Sequence, residues 1–133
     1  MDDSKCNALK ADLGDQEEPQ KIPIERFFDG NDDAASIGCN LIECPPGIEV
    51  FRDVLTGLLG RPDVQAVYAQ IAELDPGEGS WPFTDTVVVI GNISRDDLSK
   101  AVSILQPTDI GSDRDFSELA QKHGGRALVL WWD

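Results

Sequence analysis

Apolar positions along the chain recur with two different periods. In residues 48–59, IEVFRDVLTGLL, Ile48, Phe51, Leu55, Leu58 and Leu59 return at three- and four-residue spacing. That spacing predicts a helix with one apolar face, ended by Gly60 with Pro62 just beyond. Residues 94–105, SRDDLSKAVSIL, predict a second helix, with Ser94 as its cap and Leu98, Ala101, Val102 and Leu105 facing inward. Asp97 stands at the third helical position, and both Asp96 and Asp97 suit the positive end of the helix. Residues 22–29, IPIERFFD, predict a short helix with Pro23 in its first turn, Ile24, Phe27 and Phe28 on one face, and Gly30 after its end.

The other runs have a period of two. Residues 36–42, SIGCNLI, alternate Ile37, Cys39 and Leu41 with small or polar residues and predict a strand stopped by Cys44-Pro45-Pro46-Gly47. Residues 83–90, FTDTVVVI, carry four consecutive apolar β-formers, which predicts a strand buried on both faces. Residues 126–132, RALVLWW, predict the last strand. Residues 63–74, DVQAVYAQIAEL, fit a helix through Val64, Val67, Tyr68 and Ile71 and alternate imperfectly as a strand. The turn cluster DPGEGS and the strand that follow favour a hairpin. Residues 107–125 read as loop with a short helix around Phe116–Lys122, and residues 1–21 as a polar arm or loosely held helix without sustained period.

The expected order is a helix followed by two β-α-β units. It matches an α+β domain over residues 22–133 of the ferredoxin-like, βαββαβ kind: an antiparallel sheet with an N-terminal helix, preceded by a flexible arm over residues 1–21. If residues 63–74 are helical, the alternative is a three-stranded α/β domain. Either plan covers one sheet face with helices. The other face is left for the N-terminal segment, a second copy or a partner.

Charge changes the functional picture. The 133 residues hold 25 acids and 11 bases, a net of −14. Residues 1–21 contribute six acids and three bases, so most of the excess belongs to the expected domain. Such a surface repels nucleic acid and anionic membranes and speeds encounter with basic proteins. No apolar run approaches the length of a membrane span, and the N-terminus has no leader-like stretch. The cysteines, Cys6, Cys39 and Cys44, are odd in number and suggest reduced thiols in a cytoplasmic protein.

The search for chemistry leaves a binding protein as the leading expectation. Glycine-rich phosphate loops are absent, Ser80 in GEGSW is no nucleophile elbow, and His123 is the only imidazole. The loop Asp29-Gly30-Asn31-Asp32-Asp33 fails the calcium-loop pattern, because Ala34 and Asn40 stand where glycine and a bidentate glutamate belong. No catalytic residue, metal site or cofactor is therefore assigned. Trp131 and Trp132 should point to opposite faces, and Trp81 and Phe83 bracket Pro82 similarly. Expected contacts for a basic protein partner are Asp29, Asp32, Asp33, Trp81, Asp85 and Trp132, an aromatic anchor amid carboxylates. A small carboxylate-based enzyme or divalent-cation binder, and a self-associating homodimer, are the alternatives.

The segments FFDGNDDAASIGCNL, WPFTDTVVVI and the C-terminal WWD resemble a pattern of small uncharacterised bacterial proteins across most of residues 24–133. That resemblance implies no activity. In size, acidity and lack of catalytic residues the chain is also similar to immunity proteins of bacterial toxin systems. This second likeness is compositional; it implies a toxin domain as partner and transfers no residue role.

Overall fold

A computed structural model describes residues 3–16, 20–33, 36–37, 47–74, 80–111, 121–122 and 125–132. In chain order the elements are α1 (Asp3–Gly14), β1 (Lys21–Pro23), α2 (Ile24–Phe28), α3 (Ile48–Gly57), β2 (Val64–Glu73), β3 (Phe83–Gly91), α4 (Arg95–Ala101), β4 (Asp109–Gly111) and β5 (Arg126–Trp131). Single 3-10 turns extend α3 over Leu58–Gly60 and follow α4 over Ser103–Leu105. The strands form one antiparallel five-stranded sheet in the order β1-β2-β3-β5-β4, so the architecture is α+β.

β3 is the centre of the sheet, and its four-residue apolar run explains why. Val87 and Val89 enter the main core with Val67 and Ala69 of β2, Leu128 and Leu130 of β5, and the buried helix faces. Val88 and Ile90 point the other way, into a smaller cluster with Ala66, Ala127 and Val129, flanked by Tyr68 and Trp131. Both faces of β3 are thus dry, as a continuous β-branched run requires.

β2 resolves the ambiguous segment 63–74 as a strand, which removes the alternative with a helix there. Register shifts between Val64 and Ala66 and after Gln70 interrupt its ladder with β3. The shift at Val64 changes which face the following residues present, so Val64 joins the main core while Ala66 joins the opposite cluster. This loss of parity blurred the alternation in the sequence.

The strand order differs from the ferredoxin-like expectation. That plan places its first strand between the third and the last. Here β3 pairs directly with β5, through Val87 with Leu130 and Val89 with Leu128. The two outer strands, β1 and β4, are three residues long, too short for a period to register. The strand expected over 36–42 lies mostly outside the described residues. Its first two, Ser36 and Ile37, are buried, and Ile37 forms a parallel bridge with Thr84. The helix expected around Phe116–Lys122 also lies outside the described residues, apart from helical Gln121 and Lys122.

Residues 1–21, expected as a polar arm or loosely held helix, contain α1 and the start of β1. Cys6, Leu9 and Leu13 lie along one side of α1 and are buried in the main core. Three apolar contacts in a polar stretch are too sparse to give the sequence a sustained period. α4 takes the expected cap, with the Ser94 side chain accepting from Asp97 N at 3.1 Å, but ends at Ala101, and a 3-10 turn covers Ser103–Leu105 where the helix was expected to continue. Both sheet edges are blocked against strand addition. At β1, Lys21 N donates to Gln16 Oε1 at 3.1 Å and Pro23 ends the strand. At β4, Ile110 N donates to Asp109 Oδ1 at 2.8 Å.

Candidate functional site

The acidic loop after α2 is built around Asn31, one of the few buried polar side chains among the described residues. α2 ends at Phe28, Gly30 turns the chain with a φ of +80° that suits glycine, and Asn31 N donates back to Phe28 O at 3.1 Å. Asn31 Nδ2 donates to Phe27 O at 3.3 Å and to Ser36 Oγ at 3.0 Å. Its Oδ1 accepts from Asp33 N at 2.9 Å, the local turn that Asn favours. Ser36 Oγ in turn donates to Asp33 O at 2.7 Å. Asp33 Oδ2 accepts from Trp81 N at 3.0 Å, and Ser36 O accepts from Thr84 N at 2.9 Å. Thr84 is itself fully buried, with Oγ1 donating to Gln70 O at 2.6 Å. A loop that reads as solvated acids is therefore a closed hydrogen-bond knot fastened to the start of β3.

The expected contact residues separate into different environments. Asp29 is exposed and accepts from Lys5 Nζ of α1 at 2.6 Å. Asp32 is exposed, while Asp33 is half-buried in the knot. Asp85 is half-buried, with its Oδ1 accepting from Thr86 Oγ1 at 2.9 Å. The backbone joins Asp85 to Trp132, whose N donates to Asp85 O at 3.0 Å. The loop and Trp81 thus come together through Asp33, whereas Asp85 and Trp132 form a separate pair.

Neither expected tryptophan is an exposed anchor. Trp81 and Trp132 are each 1% exposed. Trp132 continues past β5, packs edge-on against Phe51 at 5.6 Å and donates from Nε1 to Leu105 O at 2.8 Å. It therefore joins the core beneath α3. Trp81 lies under the loop, and its Nε1 is buried without an acceptor among the described residues. Alternation along β5 could say that Trp131 and Trp132 diverge, but not that the second would be so completely enclosed. Half-buried Trp131, beside the smaller cluster, is the tryptophan that retains access to solvent.

Two surface features were missed in the sequence. A depression of about 620 Å3 lies between α2 and α3, lined by Glu25, Arg26, Phe28, Asp29, Arg52 and Thr56. Its arginines are each engaged, Arg26 with Asp12 and Arg52 with Asp53. At the start of β2, Arg61 Nε and Nη2 donate to the two Asp63 oxygens at 2.9 and 3.0 Å. These bonds hold the Asp63 carboxyl below its ordinary range and raise the Arg61 guanidinium. Their signal in the sequence was only the spacing Arg-Pro-Asp. Among the described residues, no group of three His, Cys, Asp or Glu is arranged to hold a metal. No described helix is long and apolar enough to cross a membrane.

Fold and surface together define a strongly acidic α+β protein with one antiparallel sheet and a knotted acidic loop. The chain belongs to the uncharacterized protein YfbO family, whose family model matches residues 4–127. Comparisons with curated proteins and with solved structures give no match.

Proposed function

We propose that this chain is a non-catalytic binding protein whose acidic surface engages a basic protein partner. One observation carries the reading: no carboxylate with a described side-chain environment is buried. Asp12, Glu25, Asp29, Asp32, Glu49 and Asp53 are all exposed. The charge is spread where it projects a field, which steers a partner of opposite sign. Blocked sheet edges direct docking to side chains rather than to strand addition. The compositional likeness to immunity proteins makes a toxin domain the particular partner this reading names.

Affinity capture from native lysate, followed by stopped-flow mixing with the captured protein, tests the reading. The partner should be basic, and Asp29→Lys with Asp32→Lys should slow association about tenfold at low salt. Association rates indifferent to both salt and charge reversal would dismiss it.

A further inference from the structure

We propose that α1 is a displaceable cover over the docking surface, and that it yields to an amphipathic helix of the partner bearing a basic residue beside its apolar face. This rests on the binding reading above and adds where the partner docks and with what chemistry.

Among the described elements α1 alone shares no seam of close backbone approach with a neighbour. It contributes no strand, so its departure breaks no ladder bond. Its apolar hold consists of Cys6, Leu9 and Leu13, while Lys5, Asn7, Ala8, Ala11 and Asp12 on its other sides are exposed. Two ion pairs fasten it to α2 and its C-cap, Lys5 with Asp29 and Asp12 with Arg26, and Gln20 Nε2 donates to Leu13 O near its end. The ion-paired side chains are 45–61% exposed, and pairs in that setting are weak. A 12-residue helix is also marginal once it leaves its packing surface.

What α1 covers is suited to a replacement. Cys6 Sγ donates to Ser80 O at 3.5 Å, so the helix closes the core beside Trp81. Trp81 Nε1 is the buried donor without an acceptor among the described residues. α2, which with its C-cap takes both ion pairs, buries Ile24, Phe27 and Phe28. Opening α1 frees Asp29 from Lys5 at the edge of that apolar surface, so that a carboxylate rim borders an aromatic floor. The occupant in place shows what fits: apolar residues at spacings of three and four, and a lysine immediately before the first of them.

Cys6 reports the opening in the full chain once Cys39→Ser and Cys44→Ser leave it as the sole thiol. Its labelling by an aromatic disulfide should run at least tenfold faster than global unfolding allows, on the order expected for sub-global opening. Lys5→Ala should speed labelling about 2–5-fold with the urea midpoint of tryptophan fluorescence unchanged. Labelling that follows global unfolding, with the same urea dependence, overturns the cover. In the second arm, a peptide of residues 1–16 carrying Cys6→Ser is added at millimolar concentration. It should accelerate labelling by holding the chain open, and a peptide with Leu9→Ala and Leu13→Ala should not. No difference between the peptides overturns the docking chemistry. These measurements use the chain without a partner, so their failure is distinct from a failed charge-reversal test.

Discussion

Replacing Asn31 removes the centre of the acidic knot, and the cost can be worked from its bonds. Asn31→Ala deletes the donations to Phe27 O and Ser36 Oγ and the acceptance from Asp33 N. At about 0.5–1.5 kcal/mol each, with part-buried groups left unpaired, the loss should total roughly 2–4 kcal/mol. Asn31→Asp isolates the electrostatic part, because it preserves shape. Its Oδ1 still accepts from Asp33 N. Its second oxygen faces Phe27 O with no proton between them, and can take the Ser36 proton only by stripping Asp33 O of its bond. The carboxyl at position 31 should therefore titrate above its unfolded value. The sign follows: the variant stands closest to the parent below the unfolded pKa of about 3.9, and falls away as pH rises through the folded value. Each unit of elevation is worth about 1.4 kcal/mol. Urea unfolding at pH 4.5 and 7.5, referenced to the parent at each pH, cancels the other carboxylates. An Asn31→Ala cost under about 0.5 kcal/mol, set against the expected hydrogen-bond loss, would refute the reasoning. So would an Asn31→Asp deficit that is equal at both pH values.

Two further outcomes are expected. A Cβ on Gly91 would clash with Asp63 O and lie 2.9 Å from Val64 Cα, both backbone atoms, at a φ of +158°. Gly91→Ala should therefore destabilise by about 1–3 kcal/mol through overpacking, read from the urea midpoint. Carbon-detected NMR titration should find Asp63 below the usual aspartate range, and Arg61→Ala should move it upward. The stability held by that pair is present above the unfolded carboxylate pKa and is lost as pH falls through the folded one.

The legible parts of this protein are those set by neighbours in the chain. The Ser94 cap, the apolar face from Ile48 to Leu58, and the burial of Val87 to Ile90 each follow from residues a few positions apart. β2 was harder because its bulges break the parity on which strand reading depends. The candidate contact residues were legible as acids and aromatics but not as surroundings. Asp33 and Trp81 are 48 positions apart and meet through one hydrogen bond. Trp132 reaches Leu105 across 27 positions.

By itself the sequence determined the apolar face of α3, the buried run of β3, the N-terminal cap of α4 and the sign of the net charge, because period, capping and net charge are local or additive. Only the tertiary structure decided that β3 pairs with β5, that two three-residue strands close the edges, and that α1 contributes three side chains to the core. It also turned an acidic loop into a knot and enclosed Trp81 and Trp132. Burial and partnership are properties of groups brought together from distant positions, and no spacing along the chain encodes which of them will meet.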